Sequence, residues 1–330
     1  MNKKSFSILI QGPYVKPTSK LIFILKSIFP KNEIILSCYD ENITEKVKKI
    51  VILVRNEDVG SIKIFPKNTY LNLKRQANTT YSGCKISKKE WIMKLRSDME
   101  IINRYKFKKV VDKFFENVEK GHKIKLLTLN TGSFDIFAHY QMPFHYNDHF
   151  FICNRFTLLQ NCNILRNYDE QKLVDGFNPS IYKNYSHKKK FNLKYHPEQL
   201  IHFCKPILID KKMQYSCDMS KKTVLRNIIW NAKHLMIYSS GEAGIRNATH
   251  YIQFKSPKLS SKLVGISFKS IYLYKLIYKS PKRMRIIFIL LLRVHGFIRK
   301  ILFLFLTYRS ILINKQKKNL YVLKNLLKAK

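Results

Sequence analysis

The first 130 residues alternate short apolar runs with longer amphipathic ones, the pattern of strands and helices taking turns. Ser5 to Ile10 reads as a buried strand that stops at Gln11-Gly12-Pro13. Thr18 stands where a helix cap belongs, and the apolar spacing carries that helix to about Phe29 before Pro30 closes it. Glu33 to Cys38 supplies a second strand, ending at Tyr39-Asp40-Glu41, and Lys49 to Val54 a third, ending near Asp58. A polar helix is expected from about Asn68 to Gly83, and Trp91, Ile92, Met93 and Leu95 mark a fourth strand that stops at Arg96-Ser97-Asp98. Lys106 to Val118 is an amphipathic helix, and Ile124 to Leu129 another strand. This alternation predicts an α/β fold on a parallel sheet. Ligands of such sheets bind beyond the carboxyl ends of the strands, and those ends carry Gln11-Gly12-Pro13, Asp40, Asp58 and Asp98.

Beyond Leu129 the pattern weakens. Asn130 to Asp218 is rich in aromatics and histidines and reads as loops and short elements over the sheet edge. From Met219 to Lys330 there are 24 basic residues against a single acid, Glu242. Within it Ile286 to Leu292 and Ile301 to Leu306 are apolar, separated by Arg293, His295, Arg299 and Lys300. Neither run approaches the roughly 20 residues that span a bilayer. The pattern fits a basic helix lying in a membrane interface, and also a core helix with charged edges. The expected division is therefore 1–218, an α/β catalytic domain, and 219–330, a basic, helical, membrane-associating region.

Composition sharpens this picture. Hydrophobic residues make up 45% of the 330, which excludes a disordered chain. Lys and Arg number 62 against 21 Asp and Glu, a net charge of +41 that seeks phosphate on nucleic acid, anionic lipid or a phosphorylated glycan. Six scattered cysteines without a C-x-x-C pair argue against a zinc framework or disulfides and suit a reducing compartment. The run after Met1-Asn2-Lys3-Lys4 is too short for the apolar core of a signal peptide, so a cytoplasmic protein, peripheral on the inner face of the plasma membrane, is expected.

The candidate chemistry is sugar transfer from a nucleoside diphosphate, which requires a neutralised diphosphate and a deprotonated acceptor hydroxyl. Asp98-Met99-Glu100 sets two carboxylates at i and i+2 past a strand, a candidate site for Mn²⁺ or Mg²⁺, with Arg96 a candidate diphosphate contact or ion-pair partner. The candidate base is Asp148, in Phe144-His145-Tyr146-Asn147-Asp148-His149-Phe150-Phe151, with Glu198 second. His145 and His149 at i and i+4, with Asp148, also read as helix-borne metal ligands, but no further ligand is evident, and the preceding Pro143 and the aromatics favour loop or strand. Glu198 also reads as an acid favoured at a helix N-terminus. There is no G-x-S-x-G elbow, P-loop or G-x-G-x-x-G.

Four blocks in order, Gln11-Gly12-Pro13, Phe29-Pro30-Lys31-Asn32-Glu33-Ile34-Ile35-Leu36-Ser37, Asn72-x-x-Arg75-Gln76 and Lys94-Leu95-Arg96-Ser97-Asp98, resemble the WavE lipopolysaccharide synthesis family of glycosyltransferases. Phe144-His145-x-x-Asp148 and Glu198-Gln199 look like its later blocks, so the resemblance spans roughly residues 5 to 205. It implies a GT-A-like nucleotide-binding fold and a role in lipopolysaccharide or capsule synthesis. By that resemblance Gln11, Gly12 and Pro13 line the nucleotide pocket, Asn72, Arg75 and Gln76 face the donor, and Asp98 takes the metal–diphosphate position. Asp40, at the next strand end, joins them as a donor-side candidate. Asn147-Asp148-His149 departs from the Ser-Asp-Trp usual in the family, and the glycine expected after it is missing. The partners implied are a nucleotide-sugar donor, a lipid-linked glycan acceptor and an anionic inner-membrane surface. The alternatives are a basic nucleic-acid-binding protein and a non-catalytic scaffold of a polysaccharide assembly complex.

Overall fold

The computed structural model describes residues 5–40, 42–64, 69–130, 133, 142–176, 193–247, 268–281, 284, 287–298 and 301. Strand β1 (Phe6–Gln11) is buried along its whole length, as a strand with both faces covered must be. Helix α1 (Lys16–Ile28) begins two residues before Thr18 because Pro17 fits the first turn, where its missing N–H is no loss. The Thr18 hydroxyl instead accepts from the Val15 amide at 3.0 Å and donates to the Ser97 carbonyl at 3.0 Å, tying the helix start to a later strand end.

There follow β2 (Ile34–Cys38), α2 (Glu45–Lys48), β3 (Ile52–Arg55), the hairpin β4 (Ile62–Ile64) and β5 (Thr69–Leu71), and α3 (Leu73–Ile86). Next come β6 (Trp91–Arg96), β7 (Met99–Ile101), α4 (Arg104–Glu119) and β8 (Leu126–Leu129). Helix α3 starts five residues after the expected Asn68, because Thr69–Leu71 pairs with β4 first.

The largest departure from expectation lies between 130 and 218. In place of edge loops, this stretch supplies β9 (Phe150–Asn154), α5 (Arg155–Arg166), α6 (Gln171–Asp175) and α7 (Pro197–Cys204). The remaining elements are α8 (Lys221–His234), β10 (Leu235–Tyr238), α9 (Ser240–Ala243), β11 (Ile245–Asn247) and α10 (Phe268–Lys279), with residues 287–298 also helical.

Seven strands form one sheet in the order β10-β8-β9-β6-β1-β2-β3. Six run the same way, while β9 lies antiparallel to both β6 and β8. The parallel sheet expected is thus a mixed one. A four-residue apolar run, Phe150 to Cys153, shows no alternation because both its faces are covered, so its period could not distinguish it from its aromatic surroundings.

Helices cover both faces. On one, Phe6 stacks on Phe115 at 4.8 Å and Trp91 meets Phe114 edge-on at 5.3 Å, within a core shared by α1 and α4. On the other, α3, α5, α7 and α8 pack around Leu9, Ile35, Ile92 and Phe151. Gly83 lets α3 lie close to β1: a Cβ there would stand 2.3 Å from Leu9 Cδ1.

The division expected at residue 218 does not fall at an edge of this architecture. Strand β10 pairs with β8, β11 pairs with β7, and Ile228, Leu235, Tyr274, Ile277 and Leu292 all enter the core. Farther on, Ile287, Leu291, Val294, Ile298 and Ile301 are exposed at intervals of four and three, one face of a helix. No helix among the described residues is long and apolar enough to cross a membrane.

Candidate active site

The chain runs outward from β1 through β2 to β3, then returns to place β6 on the other side of β1. The carboxyl ends of β1 and β6 therefore part at a switch point, where open sheets bind ligands. Gln11 and Arg96 are direct neighbours in that pairing. Past them the chain must turn without a side chain: Gly12 has φ +122°, and a Cβ would stand 2.8 Å from Ser97 Oγ. The Ser97 amide donates to the Gln11 carbonyl at 2.9 Å, and the Gln11 side-chain amide donates to Thr79 Oγ1 of α3 at 3.0 Å. Pro13 is exposed, and Asp40 accepts from the Tyr14 amide at 2.6 Å, holding the chain that leaves the crevice.

Across β6 stands a chain of charged and polar groups. Arg96 clasps both oxygens of Asp98, Nε to Oδ1 at 2.9 Å and Nη2 to Oδ2 at 2.5 Å, and its Nη1 donates to His149 Nε2 at 2.7 Å. His149 lies 3.4 Å from Asp148 Oδ1, while Gln76 donates to Asp148 Oδ2 at 2.6 Å. Lys94, fully buried on β6, donates to the Asp148 carbonyl at 2.5 Å. Thus β6, α3 and the segment entering β9 meet at Asp148.

The electrostatics follow from burial and neighbours. Burial brings His149 down to about 4, aided by Arg96 and against the pull of Asp148, so the ring is neutral at pH 7 and accepts from Arg96. Burial likewise lowers Lys94 to about 8, which leaves it mostly charged at neutral pH. For Asp148, burial favours the protonated form, but His149, Lys94, the Gln76 hydrogen bond and Arg96 together outweigh it. With His149 neutral, the Lys94 and Arg96 cations and the Gln76 amide hold this buried carboxylate ionised.

The other expected donor-side residues form a rim. Arg75 donates to Asp58 Oδ1 and Oδ2 at 2.5 Å each, lies 5.8 Å from the Tyr39 ring centroid, and reaches Asn72 Oδ1 at 3.3 Å. Gln76, one residue on, projects elsewhere and meets Asp148 instead. Asp98 and Glu100, expected to face one point, diverge. Asp98 sits in a turn, while Glu100 lies on β7, bound by Lys20 at 3.1 Å and by Arg246 at 2.7 Å, in a groove lined by Lys16, Leu21 and Ile24 of α1.

Glu198 lies in the first turn of α7, with Oε2 3.6 Å from His145 Nε2 and 3.9 Å from His196 Nδ1. It is close enough to Asp148 for their charges to interact. The second candidate base thus joins the first on one side of the crevice. His202, on the same helix, contacts the Asn147 carbonyl at 3.3 Å, and burial brings it to about 4. The sequence assigned no role to Lys94, His196 or His202, although Lys94 opens one of the motif blocks. Lys94 had a visible signal, a lone lysine between Met93 and Leu95 in an apolar strand; the histidines had none.

Residues 6–254 match the family described as WavE lipopolysaccharide synthesis. The chain belongs to the WavE lipopolysaccharide synthesis family. The family match runs past the motif blocks, through β10 and β11, so the sheet-completing strands lie within it. No curated protein matches the sequence.

Among solved structures the chain resembles mannosyl-3-phosphoglycerate synthase from Rubrobacter xylanophilus, at TM-score 0.33 and 8% identity, over 47% of this chain and 55% of that one. Bifunctional IspDF from Campylobacter jejuni aligns at 0.32 and 11%, over 51% and 46%. Glucosyl-3-phosphoglycerate synthase from Mycobacterium tuberculosis, solved with Mn²⁺, uridine diphosphate and glucosyl-3-phosphoglycerate, aligns at 0.31 and 12%, over 47% and 58%. The chain spans about half the length of these structures. Likeness at this level leaves the chemistry to the site itself.

Proposed function

We propose that this WavE family member is a nucleotide-sugar-dependent glycosyltransferase that extends a lipopolysaccharide or capsular glycan. The observation that carries this reading is a convergence at the switch point of the sheet: the side-chain-free turn at Gly12, the Arg96 guanidinium, and the buried, ionised carboxylate of Asp148. The reaction needs all three. Gly12 lets backbone approach the donor, with Gln11, Pro13 and Asp40 around it and Asn72, Arg75 and Gln76 along the near end of α3. Arg96 offers a delocalised cation for the departing diphosphate.

Asp148 takes the proton of the acceptor hydroxyl as its oxygen attacks the anomeric carbon of the sugar. Gln76 orients the carboxylate, and Lys94 anchors its backbone. A carboxylate held this acidic is a weak base and accepts its proton late in the transfer. Glu198 is the second acceptor-side carboxylate. A divalent ion, Mn²⁺ or Mg²⁺, belongs to the same reading and would offset diphosphate charge. Its ligand among the described residues is Asp98, whose oxygens Arg96 now holds; Glu100, engaged by Lys20 and Arg246, is a poorer one.

The acceptor side of the proposal is a lipid-linked glycan. The exposed face of Ile287, Leu291, Val294, Ile298 and Ile301, in a region with a large excess of Lys and Arg, supports peripheral attachment to anionic membrane.

The test is a donor screen. Purified protein with Mn²⁺ or Mg²⁺ is set against a panel of nucleotide sugars, reading thermal shift and slow donor hydrolysis. The expected result is stabilisation and hydrolysis with one donor, both lost in Asp98→Asn. Indifference to every donor would remove the transferase reading.

A further inference from the structure

The geometry points to a transition-metal site on the acceptor side of the crevice, formed by His145, His196 and Glu198 and separate from the donor-side carboxylate of Asp98. The donor atoms of the three side chains all lie within 4.8 Å of one another, and among the described residues no other three His, Cys, Asp or Glu come together in this way. Both imidazoles are buried, at 3% and 6% exposure, with ring centroids 5.7 Å apart. The Glu198 side chain is about one-third exposed at 32%, which gives an ion a route in. Its Oε2, however, is screened from solvent and faces both rings, with no hydrogen-bond partner within 3.5 Å and His145 Nε2 just beyond at 3.6 Å. A buried carboxylate oxygen left in that condition is costly, and a cation is one partner that satisfies it.

The surroundings hold these three residues in place from several directions. Gln199, wholly buried, donates to the Pro143 carbonyl at 2.7 Å and the Ser216 carbonyl at 2.8 Å, and its Oε1 accepts from the His196 amide at 3.1 Å. One side chain thereby binds the His145 segment to the first turn of α7. Phe144, directly before the buried His145, adopts φ +57°, an uncommon conformation for a non-glycine residue. On the far side, Asn147 Oδ1 accepts from the His149 amide at 2.9 Å and the Phe150 amide at 3.0 Å, fixing the segment against β9.

Two imidazoles and one carboxylate are the donor set of a zinc-type site with a fourth position open, and they also suit other first-row ions. Ligands of a tetrahedral ion at about 2.0–2.1 Å lie roughly 3.4 Å apart. The 3.6 and 3.9 Å separations from Glu198 Oε2 need only a few tenths of an ångström of closure, and the two imidazole nitrogens start within 4.8 Å of each other. Oxygen ligands are preferred by Mg²⁺, so the two imidazoles make this a poor Mg²⁺ site. Glu198 is within charge-interaction range of Asp148, so a cation here would act electrostatically on the acceptor-side carboxylate.

This inference does not depend on the transferase reading, and its readout is separate from sugar transfer. Full-length protein, stripped with a chelator, is titrated with Co²⁺ while its visible d–d spectrum is followed, then with Zn²⁺ in competition. One tight equivalent is expected, displaced by Zn²⁺. His196→Ala and Glu198→Gln should each weaken it beyond the 10–100-fold typical of losing an outer-sphere partner, while Asp98→Asn leaves it unchanged. Circular dichroism checks the fold of each variant; Glu198→Gln, on a partly exposed side chain, carries the test if His196→Ala does not fold. Failure of the wild-type protein to bind Co²⁺ or Zn²⁺, or equal binding by the folded variants, overturns the proposal.

Discussion

The two lips of the crevice are held by different physical means. The lip made by β1 and β6 is a backbone structure, with Gly12 lying against Ser97 and strand ends joined by main-chain hydrogen bonds. The opposite lip, from Met142 to Phe150 with α7, is held by polar side chains, Lys94, Asp148 and Gln199 buried and His149 and His202 half-buried. The first should fail when its shape changes, and the second when its charge changes. Low dielectric makes the second lip the more sensitive to protons.

The largest effect is expected on the charged lip. Asp148→Asn keeps the shape and the Gln76 contact but removes the negative charge, and should lower kcat by about 10²–10⁴-fold with little change in donor affinity. Single-turnover transfer together with donor thermal shift checks both parts; an equal loss of donor binding would mean that the lips are not separable.

On the backbone lip, Gly12→Val forces a side chain onto Ser97 and into a positive-φ conformation. It should cost about 1–3 kcal/mol in strain and abolish donor binding at the concentrations that saturate the wild-type protein. Urea denaturation and the donor thermal shift measure these. Retained donor affinity would show that the turn does not contact the donor.

A pH series sharpens the contrast. His149 and His202 stand at about 4 in the folded protein, against 6.5 ordinarily. Between those values the unfolded chain binds protons that the folded chain refuses. Their contribution is therefore complete above pH 6.5 and declines as pH falls toward 4, by about 3 kcal/mol per ring. The thermal midpoint should drop over that window, and His202→Gln, which keeps a donor for the Asn147 carbonyl, should flatten the drop. An unchanged slope would remove His202 from the account.

Smaller effects are expected away from both lips. Deleting residues from Arg285 onward would also remove Leu292 from the core, so Leu291→Glu with Ile298→Glu is the cleaner probe of the exposed face. This double variant should lose binding to anionic vesicles and keep its thermal midpoint in a co-sedimentation and melting pair. Smallest of all, Glu100→Gln should shift stability by no more than about 1 kcal/mol, since its ion pairs are partly solvated. It should also leave donor binding intact; a loss matching that of Asp98→Asn would return Glu100 to the donor site.

The sequence by itself determined the half of the molecule whose contacts are near in the chain or periodic. The strands that end at Gln11 and just before Asp40 and Asp98 were legible because a buried apolar run followed by a polar turn has only one good reading in an α/β alternation. The ordered motif blocks pointed to the family for the same region. What only the tertiary structure decided begins at β9, where an apolar run without alternation becomes an antiparallel strand because β6 and β8 leave a place for it. The same holds for β10, which brings a segment from beyond residue 218 into the sheet.

The acceptor side shows the limit most clearly. His145 and His196 are about fifty residues apart, and nothing local to either encodes their meeting; the buried hydrogen bonds of Gln199 decide it. Asp98 and Glu100, only two residues apart, diverge because Asp98 sits in the turn beside Arg96, which clasps it, while Glu100 lies on β7, where the distant Lys20 and Arg246 claim it. Periodicity can place a side chain on a face, but the partner it meets there depends on which other segments the fold brings to that place.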